Sequence, residues 1–587
     1  MANNYKVKTP HAAILIWNYK DRIGTEGFTN NPQSTGVKFL TDVDETIIST
    51  LSCISIQTSK SKGQPEGTFQ LVLAPTKDWV STITPGSWMC ILMSNNPITE
   101  QDLKKADKDQ VKMIGKIESV RAEVNVTDDG ARQTRYYVAG VDWAHIFNNV
   151  LYVDNLIAGP NDPISQGNQI AVALRNLLFA QGGTPQSFDV KDNLRSLINM
   201  FGNTIDGLDD AGHDINRLAG SLYNFVMPKE MVQFFDFQAP SGNVTRDQRL
   251  NKILNLQTGS LKDEDDYTDS RESKGFIDPF TLQGQHTFWQ VLMDNSNPVL
   301  NEMYAEMRWP SNNDDTTNNL RLTIFNRIKP FSYKGFNPDA GSGSGFKSYF
   351  QNCKVHDIDK YEVEAVNAGT NWRDKFNFIE VKPNFQDFSV LGNWYSQKNQ
   401  AFDPEAFKRE GFRPLIMETK QFPSKGDSAG SNSEPNIDFD QLQKWVFMMR
   451  EWYFDTHRML NGTIQIHGST EYIAVGDNIR FDASLLNVTP NINKAVADAQ
   501  TTDNFFILGH VENVSNTFTV NEGARAFTTT IQFVRGIVVN GDNKVAGEGP
   551  LDKYADQVKV NHRDRNTVNT ASTSDQLDPD SHKLKGT

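Results

Sequence analysis

Four short segments near the N-terminus return near the C-terminus in the same order and with similar gaps. The first set is 67–71, 85–89, 115–120 and 128–132, and the second set is 462–466, 475–479, 509–514 and 521–525. Each segment sets a glycine beside strand or turn residues, a pattern that any single β-hairpin produces. Four matches in one order predict two β-barrels of the same design in one chain. Two unrelated β domains with similar hairpins are the alternative.

Strand periodicity marks the first of these regions. Val120, Ala122, Val124 and Val126 alternate with polar residues, which is typical of a strand with one face in water. Asp128-Asp129-Gly130 supplies turn chemistry, and residues 136–141 are predicted to return as the second strand of a hairpin. Residues 40–150 are therefore predicted to form a small antiparallel barrel or sandwich.

Helical spacing of apolar residues predicts a different structure between the two regions. It indicates helices within 163–237, at 287–307 and at 439–460, with Asn461-Gly462 as the stop signal of the last helix. Residues 320–328 are predicted as a strand, and the charged stretch 240–275 as an exposed loop or linker. Strands are predicted to resume after residue 460.

The predicted fold class is a β-rich α+β multidomain protein. Two related small antiparallel β-barrels are separated by a helical and mixed α/β middle region. A length of 587 residues suits about three to four domains. We predict a first barrel domain with an N-terminal extension at 1–160, a middle domain at 161–335, a second barrel domain with the helix 439–460 at 336–540, and a flexible polar tail at 541–587.

Charge and composition exclude some functions. The chain has 58 basic and 72 acidic side chains and a net charge of -14, which argues against a protein that grips nucleic-acid phosphates. No signal peptide or membrane span is predicted. Cys53, Cys90 and Cys353 are odd in number and widely spaced, so we expect reduced thiols in a chain made in the cytoplasm.

Four segments resemble binding or catalytic motifs, but each is explained better as a linker, a solvated charge run, a chance pairing or a core residue. Residues 341–348 are rich in Gly and Ser but lack the Lys position of a phosphate loop, and the acidic run 263–266 with Asp269 lacks the spacing of a calcium loop. His356-Asp357-Ile358-Asp359 could serve a metal or acid–base role, although chance proximity explains it more simply. Cys90 lies in an apolar strand and is expected to be a core thiol.

The sequence therefore predicts no catalytic, cofactor-binding or metal site, no cofactor and no enzymatic activity. The abundant aromatic residues, 10% of the chain, are expected in cores and subunit interfaces rather than in a glycan-binding cleft.

Two like barrels per chain have a consequence for symmetry. A ring of three chains would present six similar modules, so one trimer could contact a six-fold object on one side and a three-fold object on the other. This geometry points to an adaptor.

The ordered segments resemble the tail hub proteins of phages with contractile tails. That family includes the T-even baseplate hub, the late-control D-type proteins and the N-terminal half of VgrG spikes. The matching segments are 67–74 with 85–88, 288–292 with 297–298, Glu302 and 327–331, 462–468 with 475–477, and 506–509 with 528–531 and 534–536. The resemblance spans residues 40–540, whereas 163–237 and 541–587 depart from it.

The resemblance implies a structural baseplate hub. Three chains would form a pseudo-six-fold ring that joins the hexameric tail tube to the trimeric central spike and lines the DNA channel during genome ejection. Baseplate wedge proteins and the tape-measure protein are further expected partners. The location would be the virion tail, after assembly in the host cytoplasm. We expect acidic residues to predominate on the channel wall, because they repel phosphates. A carbohydrate-active tail protein that degrades host envelope, and the hub of a non-contractile tail or phage-like injection machine, remain alternatives.

Overall fold

The structure is a computed structural model of the chain. It describes residues 9–19, 37–40, 43–103, 109–126, 130, 132–148, 150–153, 225–228, 254–258, 284–287, 289–290, 299, 301–309, 320–328, 354–383, 400–419, 446, 449–450, 453–454, 456, 459–469, 471–486, 505–521 and 523–539. Strands dominate these residues, and the prediction of a β-rich fold with large antiparallel sheets is confirmed.

Eight strands and two short helices belong to the N-terminal part. They are β1 His11–Tyr19, β2 Val37–Leu40, β3 Val43–Ser49, β4 Cys53–Ser61, β5 Thr68–Leu73, α1 Trp79–Thr82, β6 Trp88–Ser94, α2 Glu100–Leu103, β7 Val111–Val126 and β8 Arg132–Asp142. Two 3₁₀ turns lie at Thr50–Ser52 and Trp143–Asn148. The strands pair in the order β4-β5-β8-β7-β6-β1-β3, which we call module 1.

Module 1 surrounds one apolar core. Every one of its strands contributes at least one side chain, since strand residues alternate between the two faces of the sheet. The hairpin predicted around Gly130 is confirmed as β7 and β8, and Gly130 has the positive φ of 78° that its position in the turn requires.

Six strands with shorter pairings follow. They are β9 Val150–Val153, β10 Phe225–Pro228, β11 Leu254–Thr258, β12 Gly284–Thr287, β13 Asn301–Arg308 and β14 Arg321–Ile328. β10 pairs with β2, β12 pairs with β9, and β13 and β11 flank β14. The predicted strand at 320–328 is confirmed.

Several predictions for this region were wrong. The predicted helix at 287–307 is correct at its start, where Trp289 and Gln290 are helical, but wrong at its end, where Asn301–Arg308 form β13. Residues 302–307 are buried on both faces of this strand and so show no alternation. Residues 225–228 of the predicted helical block form β10, and residues 254–258 of the predicted linker form β11. The other residues of these two segments lie outside the described residues.

The described residues of the C-terminal part include nine strands and one helix whose two ends are both defined. They are β15 Val355–Ile358, β16 Val363–Gly369, β17 Phe378–Pro383, β18 Gln400–Phe402, α3 Pro404–Glu410, β19 Pro414–Thr419, β20 Leu460–His467, β21 Asn478–Asp482, β22 Phe506–Asn521 and β23 Ala524–Val539. Further 3₁₀ turns lie at Trp372–Asp374 and Ala483–Leu486. β17, β18 and β19 form a small separate sheet.

The predicted helix at 439–460 is helical at Val446, Met449, Arg450 and Tyr453, but it does not reach its predicted end. Leu460 instead begins β20 and pairs with Gly536, because a place in the central sheet outweighs local helix propensity. The predicted tail 541–587 lies outside the described residues.

Strands β16, β20, β23, β22 and β21 repeat the order of β4, β5, β8, β7 and β6. We call this second set module 2. The long hairpins are irregular at matching places: β7 has a register shift between Ile117 and Ser119, and β22 has one between Val511 and Asn513. Bulges disrupt a ladder in a specific way, so their coincidence supports one common design.

The turn glycines before β6 and β21 also match. Gly86 has a φ of 87° and donates its N–H to the Ile117 carbonyl, and Gly476 has a φ of 81° and donates to the Val511 carbonyl. The modules differ at one edge, because β1 runs antiparallel to β6 whereas β15 runs parallel to β21.

Candidate assembly interface

The long hairpin of module 2 extends beyond its own module and joins module 1. Residues 513–519 of β22 pair antiparallel with residues 55–61 of β4, from Asn513 opposite Ser61 to Thr519 opposite Ser55. The pairing turns the two modules into one 13-stranded sheet. An exposed strand edge is a template for such addition, and here the template lies in the same chain.

The tip of this hairpin completes the core of module 1. Phe518 lies opposite Ile56, and both side chains are fully buried. Phe527, on the returning strand, belongs to the same core, and Val520 packs against it. Module 1 therefore depends on side chains that lie more than four hundred residues later in the chain.

Buried hydrogen bonds support the same contact. The Asn516 side-chain amide donates to Thr58 Oγ1 at 3.4 Å, and Thr529 Oγ1 donates to Asn516 Oδ1 at 2.8 Å. The Ser469 N–H donates to Thr529 Oγ1 at 2.9 Å. Asn516, Thr529 and Ser469 are thus connected to one another and to Thr58 by hydrogen bonds, so hydrogen bonds as well as packing specify the junction.

A charged cluster joins three parts of the chain. Lys62 follows β4, and its Nζ donates to Glu302 of β13 at 3.1 Å and pairs with Glu512 of β22. Burial opposes the charged ammonium, but the two carboxylates outweigh it and raise the pKa of Lys62. The Lys62 side chain is 13% exposed, so this is an ion pair within the protein rather than on its surface.

His510 lies beside this cluster and is buried. Its Nδ1 is 2.9 Å from Asn478 Oδ1, and its Nε2 is 3.7 Å from Glu302 Oε2. Burial lowers the pKa of His510, and the nearby Lys62 ammonium acts in the same direction. Both effects favour the neutral imidazole.

Strand β13 is held against module 2 by Glu306, which is 2% exposed. Its carboxylate accepts the Val475 N–H at 2.9 Å and the Tyr472 hydroxyl. A buried carboxylate is stable only when such donors satisfy it. Glu306 thus fixes the middle of the chain to the turn before β21.

The corresponding hairpin of module 1 has a different environment. Val124 and Val126 near its tip are 57% and 67% exposed, and residues 121–126 are exposed on both faces. β16, which corresponds to β4, ends the sheet among the strands that the structure describes. The predicted alternation of 120–126 is correct as strand geometry, but the described residues do not cover its apolar face.

The residues that the sequence offered as possible metal or acid–base groups form ion pairs and hydrogen bonds within the fold. His356 Nε2 is 3.0 Å from Asp477 Oδ2 and its Nδ1 is 3.2 Å from Glu471 Oε2, while Asp357 pairs with Arg480. A hydrogen bond from Lys354 lowers the pKa of Glu471. Within the described ranges, no three His, Cys, Asp or Glu side chains are grouped to hold a metal.

Cys90 is fully buried, and burial raises the pKa of its thiol, which agrees with the prediction of a core thiol. Cys53 is also a free, buried thiol whose pKa burial raises to about 12. Residues 263–269, 341–348 and Cys353 lie outside the described residues. In the part of the chain that is described, no helix is long and apolar enough to cross a bilayer.

Sequence reasoning missed the residues that join the modules. A signal existed at one point: the repeat aligns Phe518 with Val124, so only one of two equivalent hairpins carries a large apolar side chain near its tip. No sequence pattern connects Lys62 with Glu302 and Glu512.

Comparison with solved structures finds tail proteins among those most similar to this chain. A tail protein from Neisseria meningitidis MC58 has 11% identity and a TM-score of 0.37, with coverage of 89% of this chain and 96% of that chain. The 43 kDa tail protein of prophage MuSo2 from Shewanella oneidensis has 10% identity and a TM-score of 0.36, covering 85% and 97%. The Francisella PdpA-VgrG complex has 7% identity and a TM-score of 0.36, covering 93% and 54%.

No family model matches the chain, and no curated protein matches it.

Proposed function

We propose that this chain is a structural hub protein of a phage tail, acting as a homotrimer that joins a hexameric tail tube to a trimeric central spike. The observation that carries the proposal is the edge-to-edge union of two equivalent modules in one chain. The shared strand order and the matching bulges support their equivalence.

Symmetry explains why such a chain suits an adaptor. One chain holds two copies of a module side by side, so three chains supply six modules in a ring while each remaining segment occurs only three times. The face made by the modules would contact the tube, and the middle of the chain would contact the spike. Wedge proteins and the tape-measure protein would be further partners.

The role is non-enzymatic and requires no cofactor. The protein would lie in the virion tail, with a contractile tail as the setting that the sequence resemblance favours. A net charge of -14 suits the wall of a channel through which DNA passes, because negative walls do not attract phosphates.

Native mass spectrometry of the purified chain, alone and with its tube and spike proteins, tests the proposal. A species of three times 66.1 kDa that appears as a ring in electron micrographs would support it. A chain that stays monomeric with both partners present would refute it. Release of soluble sugars from peptidoglycan by the purified trimer would contradict the non-enzymatic role.

A further inference from the structure

The two hairpins are equivalent in structure but not in their contacts. β22 uses residues 513–519 to pair with β4, whereas β7 pairs with β6 only through residues 111–116 and has no second described partner strand along 119–126. The edge of β7 that corresponds to the occupied edge of β22 is therefore unpaired with respect to the described strands.

The receiving strand is also repeated. Ser59 of β4 pairs with Thr68, and Asn367 of β16 pairs with Thr463, where Thr68 and Thr463 occupy the same place in the repeat. The outer edge of β4 is occupied by β22. The outer edge of β16 has no partner among the described strands.

The exposed fractions of equivalent side chains show that one hairpin tip is buried against a neighbouring module and the other is not. Phe518 is 0% exposed against module 1, while Val124 at the equivalent position is 57% exposed. On the receiving side, Val366 and Ala368 of β16 are only half-buried, and Tyr361, just before this strand, is 64% exposed. Among the described residues, nothing covers the apolar side chains on these two edges, and pairing of the edges would bury them.

We infer that residues 119–123 of β7 pair antiparallel with residues 365–369 of β16 in a second copy of this chain. The inference rests on the ring proposed above and specifies how its subunits join. Six strands, namely β20, β23, β22, β4, β5 and β8, separate β16 from β7 within one sheet. A second copy therefore supplies the partner, by the same edge addition that joins the modules within each chain.

The internal junction fixes the register. Ser515 lies opposite Ser59, and these positions correspond to Arg121 and Asn367. The pairing therefore sets Arg121 opposite Asn367 and Glu123 opposite Ala365 of the second copy. It brings Val120 to Ala368 and Ala122 to Val366 on the core-facing side. The tip with Val124 and Val126 would then lie near Tyr361.

Disulfide trapping tests this register. Arg121→Cys and Asn367→Cys are combined in a Cys353→Ser background, since Cys53 and Cys90 are buried. Ser515→Cys with Ser59→Cys is the matched intrachain control, and Arg121→Cys with Ala365→Cys is a control displaced by two residues, too far for a bridge. Mild oxidation should convert most of the 121/367 variant into covalent trimer, seal the intrachain control as a monomer, and leave the displaced pair unlinked.

The outcomes separate the inference from the proposed function. A native trimer in which the 121/367 pair does not link, although the 515/59 pair does, would overturn the inference and leave the hub proposal standing. Equal linking of the displaced pair would also overturn it. Absence of any trimer with tube and spike present would refute both.

A second variant tests the apolar contact without cysteine chemistry. Val124→Lys changes a side chain exposed in the single chain, so the melting temperature of the monomer should not change. Its trimer should dissociate at a concentration at least tenfold higher than that of the parent. Val80→Lys is the matched control, because Val80 of α1 is 46% exposed and lies outside the pairing edge. Equal effects of the two variants would contradict the inference.

Discussion

Shortening Phe518 to alanine should destabilise module 1, although Phe518 lies on a strand of module 2. The side chain is fully buried in the core that β4 and β5 share with β7 and β8. Substitution of a buried phenylalanine by alanine costs about 3–5 kcal/mol. Since about 1.4 kcal/mol is a factor of ten, the opening of module 1 should become about a hundred- to four-thousand-fold more frequent.

Hydrogen exchange followed by mass spectrometry measures this effect in the full chain. Peptides that cover residues 53–73 should exchange faster in the Phe518→Ala variant, at sites more than four hundred residues from the substitution. Val124→Ala is the control, because its half-exposed side chain at the equivalent position should cost less than about 0.5 kcal/mol. Faster exchange confined to β22 and β23, with β4 and β5 unchanged, would refute the shared core.

Three other substitutions test the contacts around the junction. Lys62→Met should lower the free energy of unfolding by about 3 kcal/mol, because it leaves two carboxylates without their cation, and a triple variant that adds Glu302→Gln and Glu512→Gln should recover most of the loss in denaturant titrations. Burial lowers the pKa of His510, so the unfolded chain binds a proton near pH 6.5 that the folded chain does not. Thermal stability should therefore fall below about pH 6.5, and His510→Gln should make that fall shallower; an unchanged slope would contradict the assignment. Gly476→Ala should lower the melting temperature, because a φ of 81° costs an L-residue at least about 1 kcal/mol, and an unchanged melting temperature would show that this turn relaxes.

The repeat was predictable from sequence because turn chemistry is local. Gly130 and Gly523 both adopt a positive φ. Because glycine adopts this conformation more easily than other residues, both copies of the repeat have glycine at this turn position. The strand at Val120–Val126 followed from alternation alone, although β7 begins earlier, at Val111. These features depend on neighbours in the chain, which a sequence displays directly.

The union of the modules was not predictable in the same way. Alternation indicates which face of a strand is apolar, but it does not identify the strand that pairs with its edge. β13 shows a related limit: it is buried on both faces, so its sequence resembles a buried helix as much as a strand. Glu302 and Glu512, the partners of Lys62, are distant from it in sequence, so only the three-dimensional structure identifies them.

Because module 1 shares its core with the hairpin of β22 and β23, it cannot finish folding until that hairpin has been translated. Asn516 and Thr58, which meet beside this core at the junction of β22 and β4, are 458 positions apart. At about 5–20 residues per second, the ribosome takes roughly 20 to 90 s to supply the missing hairpin after β4 has emerged. During that interval the nascent N-terminal half carries an open strand edge and an incomplete core, which favours aggregation at high expression. Slower synthesis or chaperone binding to the nascent chain should therefore raise the yield of soluble protein more than for a protein whose domains close in order of translation.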